Sequence, residues 1–116
     1  MSVDYDEKPS TRVRILYEGA KLTGGVRDSA YGEPVGNMQD IAAMWSTYLI
    51  GKHRGDLLDE NGFKLSGEDV AHMMSLMKIV RTYAPALTPD NYIDGATYGA
   101  IAGECAERER NNADDT

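Results

Sequence analysis

The sequence predicts an all-α fold, on three observations. Apolar residues recur at three- and four-residue spacing in four segments, start signals precede the later ones, and glycine or proline separates them. The arrangement expected is a four-helix bundle carrying a short β-hairpin insert around residues 55–65.

The first helix is predicted from about Thr11 to Leu22, where Val13, Leu16, Tyr17 and Ala20 make one apolar stripe and Gly24 and Gly25 end it. A polar loop follows, with Gly32, Pro34 and Gly36 as breakers. Asn37 is the expected N-cap of the second helix, whose face is Ile41, Met44, Trp45 and Tyr48 and whose end is Gly51. Residues 51–65 are long for a helix–helix connection, usually about 2–8 residues. The turn Glu60–Asn61–Gly62, set between Leu57–Leu58 and Phe63, predicts the hairpin there.

Ser66 opens the third helix, with Asp69 placed to complete a capping box. The run from Val70 to Val80 is apolar on almost every side, which predicts a helix in the middle of the bundle, with Met44, Met73, Met74 and Met77 filling the core. Thr88 caps the fourth helix and Pro89 takes its first position, where a missing N–H costs nothing. Gly95, Gly99 and Gly103 recur every four residues along one edge, a pattern that suits close helix–helix approach better than a gap left for a ligand.

The length of 116 residues suits one domain, expected over 11–106, with disordered tails at 1–10 and 107–116. The net charge of −7 argues against binding a nucleic-acid polymer, because that mode neutralises phosphates with Lys and Arg. One cysteine, Cys105, forms no intrachain disulfide and reads as a small core residue. No apolar run is long enough for a membrane span and no signal peptide is recognisable, so the expected compartment is the cytoplasm.

Three clusters carry chemistry. Arg27, Tyr31 and Asn37 combine a guanidinium, a stackable ring and an amide near a helix N-terminus, a set suited to a base or a phosphate. The bland reading is a structured turn. Lys78 and Arg81 are neighbours on the third helix, and a buried cation needs a partner, for which Asp94 is the natural candidate. They are either a structural bridge or a pair of phosphate ligands. Asp90, Asp94 and Tyr98 share a face, with Asn91 beside them. Two carboxylates one turn apart suit Mg²⁺, although the helix dipole alone explains Asp90.

The blocks RDSAYGEP–GN, IAAMWSTYL, EDVAHMMSLMKIVR and DNYIDGATYGA, in that order, resemble a family of small phage and prophage proteins defined by a domain of unknown function. The resemblance covers about residues 11–106; where family members tend to read D-I-A-G-Y-A-A, this chain reads DGATYGA. More distantly, that family is similar to all-α nucleotide pyrophosphatases of the MazG type and to helical domains associated with phage nucleotide modification. The resemblance implies a MazG-like bundle, a homo-oligomer in the cytoplasm of a phage-infected bacterium, and Mg²⁺-dependent cleavage of nucleoside triphosphates. MazG-type enzymes hold Mg²⁺ with ExxE on one helix and ExxD on the next. Here the second helix offers Asn37 and Asp40, and the third opens with Glu68 and Asp69.

The leading expectation is therefore a helical nucleotide-binding protein, using Arg27, Tyr31, Asn37, Lys78, Arg81, Asn91 and Asp94 and no nucleic acid or membrane partner. The alternatives are a pyrophosphohydrolase with Mg²⁺ on Asp69, Asp90 and Asp94, and a structural or host-protein-binding module.

Overall fold

Each helix begins and ends on a local signal, and the signals explain where the boundaries fall. The computed structural model describes residues 9–25, 32–55 and 62–114. They form α1 (Thr11–Lys21), α2 (Pro34–Lys52), α3 (Gly67–Arg81) and α4 (Pro89–Asp114). α1 stops where Gly24 and Gly25 take φ of 85° and 55°, left-handed values that glycine adopts without a Cβ clash. α2 starts four residues earlier than its sequence suggests, because Glu33 rather than Asn37 is the N-cap. The Glu33 carboxylate accepts hydrogen bonds from the Val35 and Gly36 amides, and Pro34 at the first position has its φ already set for a helix. Pro34 therefore begins this helix instead of breaking it.

α3 opens on the full capping box: Asp69 N donates to Ser66 Oγ and Ser66 N donates to Asp69 Oδ2. It closes at Arg81, ahead of Pro85, where Thr82 Oγ1 donates back to Ile79 O at 2.6 Å. α4 starts at Pro89 as expected but runs on to Asp114, through residues that the sequence reading places in a tail.

α3 and α4 lie antiparallel. Gly67 sits against Cys105 and Glu109 at one end, and Lys78 and Ser75 meet Asp94 and Gly95 at the other. α1 runs beside the first half of α4, so close that a Cβ on Gly19 would come within 2.7 Å of Thr97 Oγ1. α2 packs on α3 and more lightly on α4, and α4 touches all three other helices. The spine of the molecule is thus α4, not the greasy α3.

The core is small and built from small side chains: Val35, Met38 and Ala42 of α2, Val70 and Ala71 of α3, Ala102 and Cys105 of α4. Trp45, Met74 and Tyr98 close over it from the sides. Of the methionines expected inside, Met74 alone is half-buried; Met44, Met73 and Met77 are exposed. α3 buries one side and leaves the other uncovered, so its all-round apolarity does not place it at the middle of the bundle. The glycine edge divides as well. Gly95 lies 3.7 Å from Lys78 Cβ for an added methyl, whereas Gly99 and Gly103 face open space. No strand occurs among the described residues, and the hairpin expected around 55–65 falls mainly on residues outside them.

Candidate functional site

A cleft of about 230 Å³ opens between the end of α1, the start of α2 and the middle of α4. Its walls are Leu22, Met38 and Ile101, and its polar groups are Asn37, Asp94, Thr97 and Tyr98. The backbone delivers these residues by simple geometry. Asp94, Tyr98 and Ile101 fall at i, i+4 and i+7 on one face of α4, and Asn37 and Met38 lie in the first turns of α2 opposite. Gly32, with φ of 88°, brings the chain into α2 and would press a side chain to within 3.2 Å of the Asn37 amide oxygen.

Asp94 is tied at its rear to Lys78, Nζ to Oδ2 3.0 Å, with Lys78 13% exposed and Asp94 32%. The cation is the more enclosed partner and the carboxylate edge borders the cleft. A half-buried ion pair holds a carboxylate in one orientation, and removing one partner strands the other. Ser75 Oγ, donating to Gly95 O at 3.0 Å, fixes the same crossing of α3 and α4.

Of the site residues read from the sequence, Asn37 and Asp94 come together on the cleft, and Lys78 supports Asp94 from behind. Arg81 does not join them: it is exposed near the end of α3 and makes no ion pair with Asp94. Asn91 is half-buried with its amide donating to Thr88 O, and Asp90 is exposed in the first turn of α4; neither lines the cleft. Arg27 and Tyr31 lie outside the described residues. The set Asp69, Asp90 and Asp94 does not assemble. Asp69 caps the opposite end of α3, about 13 Å of helix away from the level of Lys78. Among the described residues no three acidic, histidine or cysteine side chains converge to hold a metal.

The sequence reading missed Leu22, Thr23, Met38 and Ile101, whose contribution depends on how α1 and α2 sit on α4. Tyr98, which the sequence places on one face with Asp94, lines the cleft one turn beyond it.

A second polar cluster lies at the other end of the α3–α4 pair. Arg108 bridges Glu33 (3.0 Å) and Glu104 (2.6 Å), and the Glu68 amide donates to Glu109 Oε1. The Gly36 and Val35 amides and the Arg108 guanidinium hold the Glu33 carboxyl below its ordinary value. Cys105 is sealed beneath this cluster. Burial pushes its thiol up to about 11, with Glu109, Glu104 and Glu33 adding to the shift, as in a buried structural cysteine. This cluster staples α4 to the starts of α2 and α3.

A larger groove of about 650 Å³ runs between α1 and the start of α4, lined by Ile15, Leu87, Tyr92 and Ile93 with Arg14 and Glu18 at its edge. Its wall is mostly apolar, with no converging set of polar groups. No described helix is long and apolar enough to cross a membrane.

Comparison with known proteins places this architecture among phage proteins. The chain is 35% identical over 94 residues to the Gene 55 protein of Mycobacterium phage D29, an alignment that covers 81% of this chain and 52% of that protein. It is 30% identical over 87 residues to the Gene 55 protein of Mycobacterium phage L5, covering 75% of this chain and 49% of that one. The chain therefore spans about half the length of the curated relatives it matches. No solved structure matches it. Residues 14–106 match the model of a domain of unknown function, DUF6378, and the chain belongs to that family.

Proposed function

We propose that this member of a phage protein family binds a nucleotide by its nucleoside end, in the cleft between α1, α2 and α4. The observation that carries the reading is the convergence of Asn37, Asp94 and Tyr98 on one open cleft of mixed polar and apolar lining. At about 230 Å³ the cleft is smaller than the ~300–1,000 Å³ that encloses a drug-sized ligand. It suits a base and part of a sugar, with the phosphates directed to solvent.

The roles follow from the chemistry. A carboxylate accepts hydrogen bonds from two vicinal hydroxyls, so Asp94 is assigned to the ribose. The Asn37 amide, both donor and acceptor, reads a base edge, and Tyr98 offers its ring to the base. Lys78, 3.0 Å from Oδ2, holds the Asp94 carboxylate in one orientation. The free amides at the start of α2 are already taken by Glu33, so that helix terminus does not recruit phosphate. Hydrolysis draws no comparable support, because Asp69 and Asp94 stand at opposite ends of α3.

Titration calorimetry with nucleosides, mono- and triphosphates and cyclic nucleotides tests the reading. Binding weakened at least tenfold by Asn37→Ala and by Asp94→Asn, in variants with unchanged helicity, is the expected result. Silence across the panel up to millimolar ligand ends the nucleotide reading. Pyrophosphate release that EDTA abolishes would replace it with catalysis.

A further inference from the structure

The core of this molecule is made of small residues, and many large ones are outside. On α3, Met73, Leu76, Met77 and Val80 occupy i, i+3, i+4 and i+7, one continuous stripe, and are 38–59% exposed. Tyr83 follows just past the end of the helix, 76% exposed. Such a stripe is what a helix presents to a partner helix. Contiguous apolar patches above a few hundred Å² mark interaction surfaces on soluble proteins.

We infer that this face is the interface of a homodimer in which the α3 helices of two copies pack antiparallel across a two-fold axis. The occupant is chosen by charge. α3 carries Glu68 and Asp69 in its first turn and Lys78 and Arg81 in its last. A two-fold axis across the stripe reverses one α3 against the other, so Asp69 at the start of the stripe in each copy meets Arg81 at the end of it in the mate, while Lys78 stays turned to α4 within its own copy. Asp69 and the exposed Arg81, which forms no ion pair within the monomer among the described residues, are then brought face to face. Parallel pairing would set acid on acid and base on base. This dimer is independent of what occupies the cleft, which lies on the α1–α2–α4 side.

Matching Asp69 to Arg81 puts the axis level with residue 75, next to Leu76. Two predictions separate this geometry from its rivals. Sedimentation or light scattering of the whole chain should give twice the monomer mass, and Leu76→Glu or Val80→Glu should return it to the monomer mass with helicity unchanged. Under mild oxidation Leu76→Cys should link to itself, because its two copies meet at the axis. Arg81→Cys should not, since about twelve residues of helix rise, roughly 18 Å, separate its copies, against a limit near 7 Å for a disulfide. Cys105 is buried and stays silent in this assay.

A wild-type chain at monomer mass up to millimolar concentration overturns the inference; the face would then belong to another protein, or to the further half that the longer relatives carry. Self-linking at both positions overturns the antiparallel arrangement. Should the glutamate variants fail to fold, the cysteine pair still decides.

Discussion

The two ends of the α3–α4 pair are built on opposite plans. At one end Gly67, Val70, Ala102 and Cys105 are buried, with the Glu33–Arg108–Glu104 and Glu68–Glu109 contacts laid over them. At the other, a single ion pair joins Lys78 to Asp94, and the carboxylate looks onto a cleft. The first end borders a groove of about 460 Å³ lined mainly by Gln39, Ala42, Leu65 and Gly67, and its charged groups are paired with one another. The second brings Asn37, Asp94 and Tyr98 to the wall of one cleft. The buried core lies at the Cys105 end and the proposed nucleotide cleft at the Asp94 end, so substitutions at the two should separate stability from binding.

The largest effect should come from Gly67→Val. An added Cβ there meets Glu109 Oε1 at 2.8 Å, Gln39 Cγ at 3.1 Å and Cys105 Sγ at 3.3 Å. The carboxylate can swing away, but Cys105 is wholly buried and Gln39 belongs to the α2 crossing, so a branched side chain must push helices apart. Overpacking of this kind costs about 3 kcal/mol. Urea denaturation should show that loss, with ligand affinity preserved in whatever fraction stays folded. A neutral result would mean that the Cys105 end is looser than its contacts imply.

Lys78→Met comes next and breaks the comparison from the other side. It keeps the packing of the lysine stem but leaves Asp94 half-buried without its cation. Stranding a fully buried charge costs about 3–5 kcal/mol, and solvent at Asp94 reduces that to about 2 kcal/mol. The double variant Lys78→Met/Asp94→Asn should recover most of the stability and none of the binding. If the double variant is as unstable as the single one, the lysine acts through packing alone.

How far the sequence led differs between these two ends for a physical reason. Local signals are written in neighbouring residues, so the four helices, the Ser66–Asp69 capping box and Pro89 at a helix start were all legible. The Lys78–Asp94 pair was legible too, because a cation on an apolar helix needs an acid and Asp94 was at hand. What failed depended on which face a helix presents. α3 is apolar all round, so its pattern could not say that only one side is covered within the chain. Arg81, three residues from Lys78, was paired with the same acid, yet only Lys78 faces α4. The Arg108–Glu33 and Glu109–Glu68 contacts could not be read because the partners lie far apart in sequence. The start of α2 was missed because Pro34 reads equally well as a breaker and as a first helical residue; a glutamate cap just before it settles which.

The smallest effect carries the opposite sign and sharpens the comparison most. Gly99 and Gly67 are both helical glycines, but a methyl on Gly99 meets nothing within 4 Å, where one on Gly67 meets three side chains. With no neighbour to displace, Gly99→Ala reports only the backbone, and alanine is favoured over glycine inside a helix by about 1 kcal/mol. The variant should therefore be more stable than the wild type by up to that amount, read as a higher urea midpoint at unchanged slope. Because Gly99 sits one residue past Tyr98 but points away from the cleft, nucleotide affinity should not move. A destabilised Gly99→Ala would mean that another helix approaches this edge in solution. The open glycine stretch of α4 would then belong, like the outer face of α3, to a contact between molecules.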